Sequence, residues 1–139
     1  MTDPVIQFEL VSPEEKLVSE PVYHAVLPGE EGEFGIGADH TSLVVSLQPG
    51  VVKLYRQKGA EPQKIFIAGG FADVTGVNCT ILAEDAVDVA NLNQADLEQD
   101  IKNLTEDLTA AEGIEKSRVQ RRLSMTKAKL QAVTGKVVF

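Results

Sequence analysis

The feature that most constrains this chain is a change of hydrophobic period close to Asp88. Upstream, apolar residues alternate. Ile6, Phe8 and Leu10 are separated by Gln7 and Glu9, and short β-branched or aliphatic runs recur at Val22–Leu27, Leu43–Leu47, Val51–Tyr55, Ile65–Ala68 and Thr80–Leu82. Turn signals divide them: Ser12-Pro13, Pro28-Gly29, Pro49-Gly50, Lys58-Gly59, Gly69-Gly70 and Gly76-Val77-Asn78. Many short strands at this spacing predict a β-sandwich or barrel. The unbroken run Leu43–Leu47 predicts a strand buried on both faces.

Downstream, Leu97, Ile101, Leu104, Leu108 and Ala111 follow one another at helical spacing. Asn93 or Asn91 is placed to cap this helix, with Asp96 and Glu98 near its positive end, and Gly113 reads as its stop. A second helical stretch carries Val119, Leu123, Leu130 and Val133, with Thr126 at a position where an apolar residue is expected. The first helix is acidic and the second basic, so a short link predicts an antiparallel hairpin with modest charge pairing. The fold class expected is therefore α+β: a β-sandwich over residues 1–86, then a domain over 87–139 whose helices fill about 90–134. One narrow seam stabilises a helix pair little by itself. Such a hairpin either leans on the β domain or is able to leave it.

Composition narrows the function. Hydrophobic residues make up 43% of the 139, with no Trp, which predicts an aliphatic core. No run of about 18 apolar residues is present to span a membrane as a helix. Met1-Thr2-Asp3-Pro4 lacks the layout of a signal or transit peptide, so a cytoplasmic-type protein is expected. The net charge of −8 argues against nucleic acid as a partner. Residues 112–139 nonetheless hold seven Lys or Arg against two Glu, a basic tail on an acidic body. One cysteine, Cys79, and two histidines do not suggest a metal site, and Cys79 within an alternating run reads as a buried thiol.

Glycines at 29, 32, 35 and 37 surround Phe34 and Ile36 and indicate tight turns or close backbone approach. No Lys followed by Ser or Thr completes a phosphate-binding loop there, so no cofactor is expected. Asp39, His40, Thr41 and Ser42 contain the residue types of a hydrolytic dyad. Neighbours on an extended chain point to opposite faces, however, so Asp39 is badly placed to orient His40. No catalytic residue is expected.

Read together, Leu27-Pro28-Gly29-Glu30-Glu31-Gly32-Glu33-Phe34-Gly35-Ile36, then His40, Leu43 and Leu47-Gln48-Pro49-Gly50, resemble the signature of the epsilon subunits of F-type ATP synthases, whose mitochondrial equivalent is called delta. Gly69-Gly70-Phe71-Ala72-Asp73-Val74 and Thr80-Ile81-Leu82-Ala83-Glu84-Asp85-Ala86 extend the resemblance in order along nearly the whole chain. It implies a non-catalytic central-stalk subunit that couples rotation of the c-subunit ring to ATP synthesis through the gamma subunit and the ring. It further implies that Ser12, Glu33 and His40, with Ser42 beside them, meet the c ring. The family usually has Pro where Ser42 stands, so a looser loop is expected here. Some bacterial relatives bind ATP through an Asp-x-x-Arg motif. In the matching stretch Val87–Leu92, Asp88 is present but Asn91 replaces the arginine, which argues against ATP sensing.

Arg118, Arg121 and Arg122 share neighbouring helix faces. They read either as a solvated face pairing with the acidic helix or, as the resemblance implies, as contacts to gamma or to the alpha and beta catalytic subunits when the hairpin extends and blocks ATP hydrolysis. The implied location is peripheral, through partners, on the cytoplasmic face of a bacterial inner membrane or the matrix side in mitochondria. The rival readings are a stand-alone sandwich-plus-coiled-coil adaptor, which composition alone favours, and a hydrolase built on His40.

Overall fold

The computed structural model describes residues 4–135. The protein divides into two compact units, Met1–Asp88 and Val89–Phe139.

Ten strands form the first unit: β1 (Ile6–Val11), β2 (Lys16–Val22), β3 (His24–Gly29), β4 (Gly32–Gly37), β5 (Leu43–Leu47), β6 (Gly50–Tyr55), β7 (Gln63–Ile67), β8 (Gly70–Val74), β9 (Asn78–Ala83) and β10 (Ala86–Asp88). Hydrogen bonds order them β10-β7-β6-β3-β5-β8-β9-β1-β2, with β4 also on β3. Among the described residues, the strand pairings are antiparallel except that of β1 with β9. The path folds back on itself. Ile6, Phe8 and Leu10 of β1 share one core cluster with Val52 and Leu54 of β6 and Ile65 and Ile67 of β7, although these strands lie far apart along the path. This is the β-sandwich expected from the alternation. Burial explains why each strand holds its register: a slip by one residue would turn Ile6, Phe8 and Leu10 to solvent and Gln7 and Glu9 inward.

The sheet extends to Asp88 because Ala86, Val87 and Asp88 pair with Ile67, Phe66 and Ile65. A series of polar side chains bridges strands from both extremities of the path. Arg56, just past β6, forms an ion pair with Glu20 of β2. It also donates to Gln63 Oε1 of β7, and Gln63 Nε2 donates to Asp88 Oδ2 at 2.8 Å. At the start of β8, Gly70 has φ +152°, and a Cβ there would lie 2.1 Å from the Leu82 carbonyl oxygen. Gly70 is thus required by close strand approach, and Gly69 before it by its φ of +110°.

One expectation about this unit is corrected. The run Leu43–Leu47 is not buried on both faces: Leu47 is buried, whereas Val44 is 74% exposed. Consecutive burial of large apolar residues is found instead at Ile65-Phe66-Ile67 on β7. Apolar content alone does not tell a strand with one covered face from one with two.

In the second unit, a single 3-10 turn, Val89–Asn91, precedes α1 (Gln94–Ala110) and α2 (Gly113–Thr134). Of the two candidate caps, Asn93 serves: its side chain accepts from the Asp96 N–H at 3.1 Å. Leu104, Val119 and Leu123 form the seam between the helices, flanked by Ile101, Leu108 and Ala111. Thr126 resolves its awkward position by donating its hydroxyl to the Arg122 carbonyl at 2.8 Å. The backbone leaves α1 at Ala111, where it turns extended, and not at Gly113. Gly113 instead begins α2 with φ +62°. The expected charge pairing is also not formed by the arginine cluster. Arg118, Arg121 and Arg122 are exposed, and the ion pairs within 4 Å among the described residues include Lys16–Glu9 and Arg56–Glu20 but none from these three arginines. Long exposed side chains gain too little from such pairs to give up their hydration and rotamer freedom.

Candidate functional site

β3 and β4 form a hairpin whose register runs from His24–Gly37 to Gly29–Gly32 across the two-residue link Glu30-Glu31. Gly32, at φ +127°, returns the backbone into β4. Glu33 follows it and is exposed. Past β4 the backbone bends at Asp39, a non-glycine residue at φ +63° whose N–H donates to the Gly76 carbonyl at 2.9 Å. That bend presents His40. Its Nδ1 lies 2.7 Å from the Thr41 carbonyl oxygen. A carbonyl only accepts, so Nδ1 carries the proton and Nε2 is left to face a partner.

Glu33 and His40, seven positions apart, line one open groove of about 660 Å³ with Glu30, Leu43 and Ser46. Ser12 does not join them there. It lines a second groove of about 440 Å³ with Pro13, Phe71 and Leu82. Its hydroxyl is also occupied locally: it donates to the Glu15 carbonyl and accepts from the Glu15 N–H, both at 3.3 Å, closing the β1–β2 turn. Ser42 is exposed just before β5.

Sequence reasoning overlooked the apolar part of this surface. Phe71 and Leu82 are directly paired across β8 and β9 and are each 58% exposed. The signal was available in the alternation Phe71-Ala72-Asp73-Val74, where burial of Ala72 and Val74 forces Phe71 outward.

On the hairpin, Arg122 shares a polar cleft of about 240 Å³ with Asp100, Asn103, Asp107 and Thr126. Arg118 and Arg121 are exposed, as is Ile114 near the start of α2. In the stretch compared with ATP-binding relatives, Asp88 accepts from Gln63, and Asn91 is exposed at the end of the 3-10 turn. Among the described residues, no group of three or more His, Cys, Asp or Glu is arranged to hold a metal ion. No described helix is long and apolar enough to cross a membrane.

These units define a class: a β-sandwich followed by a two-helix hairpin, with its candidate residues displayed on open surface. Comparison with known proteins gives the family. The family model of the ATP synthase delta/epsilon beta-sandwich domain matches residues 5–89, and that of the C-terminal domain of the ATP synthase epsilon chain matches residues 93–139. The protein belongs to the ATP synthase epsilon-chain family. The ATP synthase epsilon chain of Rhodospirillum centenum is 41% identical over 135 residues, a span of 94% of this chain and 92% of its own. That of Mesorhizobium japonicum is 44% identical over 105 residues, 76% of this chain and 77% of its own. The fold recurs in the Euglena gracilis mitochondrial ATP synthase, with a TM-score of 0.78 at 22% identity over 92% of this chain and 81% of the matching one. It recurs also in the central stalk and c-ring structure of the Tetrahymena thermophila mitochondrial ATP synthase, with a TM-score of 0.67 at 17% identity over 96% of this chain and 100% of the matching one.

Proposed function

We propose that this protein is a non-catalytic rotor subunit of an ATP synthase central stalk, coupling c-ring rotation to ATP synthesis by holding the gamma subunit and the ring. The observation that carries this reading is the shared groove of Glu33 and His40, where an acid and an imidazole with a free Nε2 stand on an exposed rim. Such a pair suits polar contact with the loops of a ring of c subunits. Ser12 and Ser42 are the further candidates for that contact, and the exposed Phe71–Leu82 pair offers the apolar area that subunit interfaces bury. Torque transfer needs stiffness and broad contact, and a doubly layered sheet with one shared core provides the stiffness.

Arg118, Arg121 and Arg122 are the candidate contacts to gamma or the catalytic subunits, since their guanidinium groups are solvated and available to an acidic partner. In this reading an extended hairpin restrains ATP hydrolysis, and the protein works peripherally on the cytoplasmic side of a bacterial inner membrane, held there by its partners. The test is reconstitution. Purified protein added to an ATP synthase complex depleted of its epsilon chain is expected to restore proton-driven ATP synthesis. Protein that neither binds the depleted complex nor restores coupling overturns the proposal.

A further inference from the structure

His24 and Gly35 lie on adjacent strands of the β3–β4 hairpin, at diagonal positions, because His24 pairs with Gly37 and Val26 pairs with Gly35. A Cβ built on Gly35 would sit 2.7 Å from His24 Cε1 and 2.8 Å from Nε2. The imidazole therefore occupies the volume that a side chain at position 35 would fill. On its other flank, Tyr55 of β6 is His24's direct cross-strand partner, with ring centroids 6.0 Å apart at 50°. Tyr23 stands 6.5 Å away at 48°. A free imidazole would rotate away from an intruding methyl at little cost. This one is fenced by two aromatic rings.

Residues two apart on a strand share a face, so Glu33, Gly35 and Gly37 point to one side of β4. The ring resting on Gly35 thus lies on the same face as the Glu33 carboxylate. We propose that His24 is a positioning residue for the docking rim: its imidazole, keyed onto Gly35 and backed by Tyr23 and Tyr55, holds β4 so that Glu33 is presented to the partner. This inference rests on the rim reading given above. It assigns a role to a half-buried histidine, and it accounts for glycine at position 35, whose φ lies outside the left-handed region.

The experiment is a double-mutant cycle on the full-length protein, reading both urea unfolding and docking to the epsilon-depleted complex at a temperature where every variant is folded by circular dichroism. Gly35→Ala is expected to lower the folding equilibrium constant about tenfold, as overpacking by one methyl does, and to weaken docking several-fold. His24→Ala removes the obstruction, so the double variant is expected to match His24→Ala alone instead of summing both losses. Additive losses, or a Gly35→Ala variant that unfolds more easily yet docks normally, overturn the positioning role. Glu33→Gln and His40→Ala test the rim separately. Normal docking by both variants sinks the rim and with it the positioning role, whereas non-additive unfolding would still register the His24–Gly35 contact, so the two failures are distinguishable.

Discussion

Single residues divide here into those whose environment follows from alternation and those whose environment depends on a bend. Cys79 is of the first kind. Its place in an alternating run implies burial, and it is fully buried, with its thiol pushed up to about 12 first by burial and then by the charge of Asp73. The ordinary value is 9.0, so between about pH 9 and pH 12 the unfolded protein loses this proton while the folded protein keeps it. Stability contributed by the thiol is intact below that window and declines through it. Urea midpoints are expected to fall more steeply over the window for the parent than for Cys79→Ala, and alkylating reagents should label Cys79 only on unfolding. His40 and Ser12 are of the second kind. The hydrogen bond of His40 to Thr41 depends on the positive φ of Asp39, and the hydroxyl of Ser12 is consumed by its own turn. No spacing rule encodes either.

At the scale of elements, the helices are legible because their caps and seam are local. Asn93 sits where an Asx cap is wanted and accepts from the Asp96 N–H. Asn93→Ala is expected to destabilise the hairpin by about 1 kcal/mol, measured as a lower thermal midpoint for the helical signal, whereas Asn91→Ala should leave it unchanged. The link is less legible. Gly113 signals a break, but a glycine with positive φ can end one helix or begin the next, and here it begins α2. Strand existence is readable from period two, yet strand depth is not. Val44 and Phe66 are similar in apolar character, and only the tertiary arrangement leaves one exposed and the other buried. Phe71 is the more legible case, because the alternation with Ala72 and Val74 turns it outward, and Leu82 follows as its cross-strand partner.

At the scale of the whole molecule, the order of the motifs along the sequence carries the family, while the grouping of the rim residues needs three dimensions. Glu33 and His40 share one groove, and Ser12 lines a neighbouring one, the two meeting where Ser46 of the first pairs with Phe71 of the second. The core of the β unit leads to a different expectation. Its two extremities are packed into one cluster, and Arg56 and Glu20 tie them again at the surface. Amide hydrogen exchange is therefore expected to show β1, β6, β7 and β9 opening in a single event with equal protection, and separate protection classes for β1 and β7 would contradict this. A flat ribbon of strands would fray from whichever border is tugged. Here the two borders, β10 and β2, are stitched together by the side chains running Asp88, Gln63, Arg56 and Glu20, so a twisting load taken up on one layer is passed to the other.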